Sequence, residues 1–379
     1  MGEYFKNWSR RFEAISYRRL DPWLLMPALA LLALGLLMVL NTTYFLAQER
    51  SGDPFHLFKL QLAHIVAGAL VLTVLSQFSA DGLRRLTIPL MAISAVLLIA
   101  VWIPGVGVTR GGARRWVRIG SMLAEPSELV KFAIVFFLAD FIARRQDVLH
   151  QFKRGPLPAM IVTGTIAALV LVQPDFGTTV VIALILFVML FAGGVRVAHL
   201  GATGAGALLI LVIQAVAKPY RMRRLETFID PWRTARGAGF QLIQSFIALG
   251  EGGKWGTGLG VGRQKMFYLP AAHTDFVFAV VTEEFGIVGA ALVLALFGII
   301  LVRGLRIAHE ERDHFASMLA VGLTAMIAMQ ALLNLAVVTG LVPTKGLPLP
   351  FLSYGGTSIV MAMAALGVLS ALAWRRAVE

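Results

Sequence analysis

Cysteine is absent from the 379-residue chain, which excludes disulfides, thiolate-ligated metals and cysteine nucleophiles. Charge is scarce too: 15% of residues are acidic or basic, where a typical soluble domain carries about 25%. That scarcity excludes a disordered chain and a conventional water-soluble enzyme. Acidic residues are the rarer sign, 21 against 34 basic, for a formal net charge of +13. In a soluble protein such an excess would suggest nucleic acid, but in a polytopic one it must first be divided between the two faces of a bilayer. Tandem repeats, heptads and low-complexity tracts are missing. So is the strand-like alternation of a membrane barrel.

Continuous apolar sequence is abundant. Hydrophobic residues make up 58% of the chain and its mean hydropathy is +0.77. Ten stretches have the character of membrane spans: 22–40, 57–78, 86–103, 126–143, 157–172, 178–192, 200–217, 276–302, 315–338 and 358–374. The expectation is an all-α polytopic membrane protein, one membrane domain over residues 1–379. The basic N-terminus runs into a full-length span without a small-residue cleavage site, so the first helix is expected to be retained. The sixth span is short, and Gln173-Pro174-Asp175 before it reads as a broken stretch buried in protein. An even number of spans puts both termini on one face. With the termini inside, the inner segments hold 17 Lys and Arg and the short outer loops (41–56, 104–125, 173–177, 339–357) hold six. Positive-inside therefore predicts a cytoplasmic N-terminal segment, 1–21, a cytoplasmic C-terminus, and a large extracytoplasmic loop, 218–275, between spans seven and eight.

The outer side carries basic residues where the orientation rule disfavours them. Arg110, Arg114, Arg115 and Arg118 fall within nine residues; Arg221, Arg223, Arg224, Arg233, Arg236, Lys254, Arg263 and Lys265 lie in the long loop, and Lys345 in the last outer loop. Either these cations adhere to anionic headgroups, or they form a site for a phosphate-bearing ligand, which the arginine fork suits. Convergence from three loops favours a site. Lys131 lies more than one turn inside the fourth span with Glu128 at i,i+3; this is a structural ion pair or a functional group. Asp140 and Arg144 have the spacing of an ordinary helix-surface pair.

The glycine-rich run Gly250–Gly262 lacks the Gly-Lys-Ser/Thr of a Walker loop, because Trp255 follows Lys254. A structural role, folding tightly against other loops, fits it better. Asp275 stands just before the eighth span. It is either the N-cap of that helix or, at the mouth of a cavity ringed by arginines, a general base. Glu283 and Glu284 lie about two turns deeper, where carboxylates are costly unless they line a wet cavity or meet cations. His273 and His56, the histidines of the outer loops, do not make a metal-ligand cluster, and no Gly-x-Ser-x-Gly elbow is present.

Four segments resemble the SEDS family of bacterial cell-wall synthesis (shape, elongation, division and sporulation). They are Gly112-Ala113-Arg114-Arg115-Trp116 with Glu125–Lys131; Gln173–Thr178; Gly239–Ser245 through His273–Ala279 to Glu283-Glu284; and Pro343–Gly356. Thr344-Lys345-Gly346-Leu347 and Asp230-Pro231-Trp232 look more like the division branch, FtsW, than the elongation branch, RodA. Phe267 departs from the pattern, since many relatives carry an acid there. The resemblance implies a GT-C-like peptidoglycan glycosyltransferase of the cell (inner) membrane, at the division septum, polymerising lipid II on the outer leaflet. It implies a class B penicillin-binding protein and other divisome membrane proteins as partners, and no nucleic acid. Asp275 is then the base, Arg115, Lys131 and Lys345 contact substrate or pyrophosphate, and Glu128 orients Lys131. A divalent cation such as Mg could share the pyrophosphate charge, although no dedicated ligand set is visible. An elongation polymerase, a lipid II flippase and a non-catalytic division scaffold are the competing readings.

Overall fold

The computed structural model describes residues 20–375 except 111, 121, 217–221, 223–225, 236, 238 and 265–268. The N-terminal segment to residue 19, the loop cations Arg221, Arg223, Arg224, Arg236 and Lys265, and the departure at Phe267 lie outside the described residues.

A helix lies at each of the ten apolar stretches. In chain order these are α1 (Pro22–Ser51), α2 (His56–Leu75), the short α3 (Ala80–Arg85) running into α4 (Thr87–Ala100), α5 (Pro126–Arg144), α6 (Pro156–Val172), α7 (Phe176–Ala192) and α8 (Val197–Val216). After α9 (Phe240–Gly252) come α10 (Val277–Glu310), α11 (His314–Val338) and α12 (Gly356–Arg375). Six of them, counting α3 and α4 as one, are long and apolar enough to cross a membrane, and α6, α7 and part of α8 are shorter apolar helices. Helix starts follow local chemistry. The Asp21 carboxylate accepts from Trp23 N at 2.9 Å with Pro22 in the first turn of α1, and Asp175 accepts from Thr178 N at 3.1 Å at the start of α7.

Helices α5, α11 and α12 form the centre. α5 packs against α4, α7 and α11, and α12 against α2. From Val130 to Phe136 α5 is buried all round, the pattern of a helix enclosed by others. The outer helices expose apolar side chains instead, among them Val66 and Leu70 on α2 and Leu208 and Leu209 on α8.

One expectation needs correction. The fold is not purely helical: residues 104–125 form a three-stranded antiparallel sheet, β1 (Gly107–Arg110), β2 (Ala113–Ile119) and β3 (Met122–Ala124), in the order β1-β2-β3. Trp116 and Val117 are residues that suit a pleated, half-buried surface, and Val117 is buried. Part of the long loop is helical. α9 buries Leu242, Ile243, Ser245 and Ala248 and packs on α10, and the glycine-rich segment after it winds against a break in α10. There Gly286 has φ 67° and ψ −161°, a conformation open to glycine. Near the break, Ile287 N donates to Gly253 O at 3.0 Å and Val288 N to Lys254 O at 3.4 Å. The glycines thus serve the structural role expected of them.

Candidate functional site

At one end of the bundle the segments before α10 and α12 are tied together. Asn334 Nδ2 on α11 donates to Asp275 O and to Leu347 O, both at 2.7 Å. Tyr354 N donates to His273 O at 2.8 Å, and Ser353 Oγ donates to Thr274 O while accepting from Leu349 N. This fixes Asp275 beside Gly346. A Cβ placed on Gly346 would lie 3.1 Å from Asp275 Oδ2 and 4.0 Å from Arg115 Nη2. The bare glycine therefore lies close to both a carboxylate and a guanidinium.

The cap position of α10 is Phe276, which makes no side-chain cap bond; Asp275 stands one residue ahead of it. Arg115 comes from β2. Its Nε is 3.5 Å from Glu125 Oε1 and its Nη1 3.8 Å from Asp175 Oδ1, with the guanidinium 4.5 Å over the Trp116 ring. Asp175 is buried, and Ser127 Oγ donates to its Oδ2 at 3.2 Å. Lys345 Nζ sits 4.6 Å over the Phe176 ring. Asp275, Arg115 and Lys345 are therefore brought together by three of the predicted outer loops, with Asp175 supplied by a fourth.

Lys131 is in a different situation. It is 1% exposed, pairs with Glu128 Oε1 at 2.8 Å and donates to Gln330 Oε1. Gln330 Nε2 in turn donates to Pro348 O at 2.9 Å. The pair thus lies in the protein interior behind the Lys345–Pro348 segment, bracing it through Gln330. A buried cation needs both partners to offset its lost hydration.

Burial, with the neighbouring Asp175 charge adding to it and Arg115 opposing, pushes the Glu125 carboxyl up to about 8. At neutral pH it therefore holds a proton. Burial and then the Arg50 charge lower the His273 imidazole to about 4, so it is neutral. The deeper carboxylates have amide partners. Glu283 accepts from Arg263 N at 2.6 Å and Gln264 N at 3.2 Å, and Glu284 accepts from Asn41 Nδ2 at 2.7 Å. Backbone amides just after the glycine-rich run and one amide side chain supply what a wet cavity or a cation was expected to supply. Asp140 meets Arg144 as its spacing suggested, and also Arg84 Nε at 2.5 Å.

Sequence reading alone did not assign Glu125, Asp175, Gln330, Asn334 or Gly346. A signal existed for two of them: Gln330 and Asn334 are polar, four residues apart and inside an apolar span, so they share a face that must find partners.

The chain matches the FtsW/RodA/SpoVE cell cycle protein model over residues 22–377. It is 39% identical over 349 residues to the probable peptidoglycan glycosyltransferase FtsW of Geobacter sp. (strain M18), covering 92% of this chain and 95% of that one. It is 41% identical over 352 residues to the stage V sporulation protein E of Bacillus subtilis (strain 168), with 92% and 95% covered. Among solved structures, a chain from "Structural coordination of polymerization and crosslinking by a peptidoglycan synthase complex" superposes with a TM-score of 0.76 at 32% identity, covering 94% of this chain and 98% of that one. The rod shape determining protein RodA of Thermus thermophilus does so with a TM-score of 0.70 at 27% identity, covering 96% and 99%. With a match over nearly its whole length and helices long and apolar enough to cross a membrane several times, the chain is a multi-pass membrane protein that belongs to the FtsW/RodA/SpoVE family.

Proposed function

We propose that this protein is a peptidoglycan glycosyltransferase that polymerises lipid II, in which Asp275 is the general base. The observation that carries the proposal is the convergence at Gly346, whose Cβ position lies 3.1 Å from Asp275 Oδ2 and 4.0 Å from Arg115 Nη2. Relatives about 40% identical over almost the whole chain bear the name peptidoglycan glycosyltransferase, which supports the reaction class.

In this reading the Asp275 carboxylate takes the proton of the acceptor sugar hydroxyl as its oxygen attacks the anomeric carbon of the donor. The bond from that carbon to the pyrophosphate oxygen breaks, and undecaprenyl pyrophosphate leaves with the electron pair. Arg115 and Lys345 offer charge to the departing pyrophosphate. Lys131 and Glu128 act on the same loop from behind through Gln330. Among the described residues no three His, Asp or Glu side chains form a ligand set, so no step is assigned to a resident cation; Mg arriving with the pyrophosphate is part of the substrate.

The same reading includes ten membrane spans in a GT-C-like arrangement with cytoplasmic termini, the Asp275 end facing outward, and a class B penicillin-binding protein as partner. The match to a chain of a peptidoglycan synthase complex supports the partner. The division branch, and so the septum, is favoured by the FtsW names among the relatives.

Polymerisation of labelled lipid II by purified wild type and Asp275→Asn, each alone and with the cognate penicillin-binding protein, tests it. Long glycan chains from the wild type and none from a folded variant are expected. Equal chains from both would return Asp275 to a structural role, and none from either, even with the partner, would favour a flippase or scaffold.

A further inference from the structure

Helices α1 and α10 place the bilayer on the molecule. They pack together and share two polar rungs: Asp21 Oδ2 meets Arg303 Nη2 at 2.7 Å, and Glu284 Oε2 accepts from Asn41 Nδ2 at 2.7 Å. From Asp21 to Asn41 on α1, and from Glu284 to Arg303 on α10, the helical rise amounts to about 30 Å, the thickness of a hydrocarbon core. Between the rungs every exposed side chain of α10, from Ile287 to Val302, is apolar. The Asn41–Glu284 rung therefore marks the membrane surface on the Asp275 side.

The glycine-rich loop is fastened at that level. Thr257 N donates to Glu283 O at 2.9 Å and Gly258 N to Glu284 O at 3.1 Å. From this loop Trp255 is 81% exposed, Leu259 52% and Val261 65%, beside the lipid-facing Ile287 and Val288. Lys254 is exposed next to Trp255. One turn beyond Asn41, Tyr44 and Phe45 are also exposed, and the Tyr44 ring meets Phe45 and Phe55 edge to face at 5.4 and 5.9 Å. Two separate elements thus hold aromatics at one height, as an interfacial belt does, and a lysine beside it can reach lipid phosphate.

We propose that the Lys254–Val261 loop is a membrane-surface anchor: Trp255, Leu259 and Val261 enter the boundary between headgroups and acyl chains, and Lys254 meets lipid phosphate. The inference does not depend on the glycosyltransferase reading.

Because the chain has no cysteine, Trp255→Cys or Leu259→Cys carries a single thiol for an environment-sensitive fluorophore. The full chain would be placed in nanodiscs of phosphatidylglycerol and phosphatidylethanolamine. Glu251→Cys serves as the water-facing reference and Leu292→Cys as the mid-bilayer one. Labels at 255 and 259 are expected to emit to the blue of the label at 251, to resist iodide, and to be quenched by nitroxides near the headgroup end of the lipid chains. Iodide quenching at both positions equal to that at 251 would overturn the proposal. So would protection that arises only on adding a partner protein, which would make the loop a protein-docking surface. Adding Lys254→Glu to the labelled Trp255→Cys protein is expected to shift the label outward in phosphatidylglycerol discs and, by less, in zwitterionic ones, whose headgroups also carry phosphate; no shift in either would remove the phosphate contact.

Discussion

The two ends of the bundle use similar residues differently. At the Arg303 end, carboxylates and guanidiniums meet at hydrogen-bond distance: Asp21 with Arg303 at 2.7 Å, Asp140 with Arg84 at 2.5 Å and with Arg144 at 2.8 Å. At the Asp275 end, Arg115 stands 3.5 Å from the Glu125 carboxyl and 3.8 Å from the Asp175 carboxylate, and a glycine lies beside both Arg115 and Asp275. Close pairs satisfy each other and hold helices in place. Arg115, at longer range from its acidic neighbours, is placed to meet an incoming phosphate as well. The difference lies in distance and access rather than in residue type.

The comparison is broken most severely at Asp275. Asp275→Asn is expected to lower lipid II polymerisation by about 10²- to 10⁴-fold, the usual worth of a general base, with thermal stability retained. Lys131→Met should act on stability instead. It leaves Glu128 buried without its cation, at a cost of about 3–5 kcal/mol. Thermal unfolding in detergent reads the loss, and adding Glu128→Gln should recover most of it. Gly346→Ala puts a methyl group 3.1 Å from Asp275 Oδ2 and is expected to slow polymerisation by up to about a hundredfold through misplacement of the reacting groups. Unchanged turnover in that variant would show that substrate does not sit beside Gly346.

A smaller effect separates the ends by pH. The Glu125 carboxyl, raised to about 8, binds its proton more tightly folded than unfolded, so its stabilisation is complete in acid and declines as pH rises toward 8. His273, lowered to about 4, has the opposite sign: its contribution is complete above its ordinary value and is lost as pH falls toward 4. The two oppose each other in mild acid, leaving the Glu125 decline to be seen alone from neutral pH to about 8. Glu125→Gln should flatten that part of the unfolding profile. At the other end Arg144→Ala, removing a side chain 64% exposed, should change stability by no more than about 0.5 kcal/mol. A larger loss would mean that the Asp140 cluster is more than a surface pair.

Much of this organisation is local and so legible in one dimension. A membrane span is a property of about twenty consecutive residues, and for that reason a helix lies at each stretch that hydropathy picks out. It misjudges their ends: α1 continues to Ser51 through polar residues that sequence reading left to a loop. The Lys131–Glu128 pair is legible because i,i+3 spacing on a helix brings two side chains together whatever else the chain does. The sheet at 107–124 is short and sits between helices, where a few β-branched residues are a weak signal against many charges.

Gly346 shows where local reading stops. Nothing in Thr344-Lys345-Gly346-Leu347 states that its glycine will lie beside both Asp275, seventy-one positions earlier in the chain, and Arg115. That placement depends on Asn334 holding two carbonyls at once and on three helices packing around it. Likewise Glu283 and Glu284 look like cavity carboxylates until the loop after the glycine-rich run gives Glu283 its amide partners and α1 brings Asn41 to Glu284. Amino-acid order dictated the helices, their apolar lengths and the supply of arginines and carboxylates, because hydrophobicity and helical spacing act over a few residues. Which of those charges come to lie beside one another was settled by packing, since a hydrogen bond between loops far apart in the chain exists only once the helices between them have assembled.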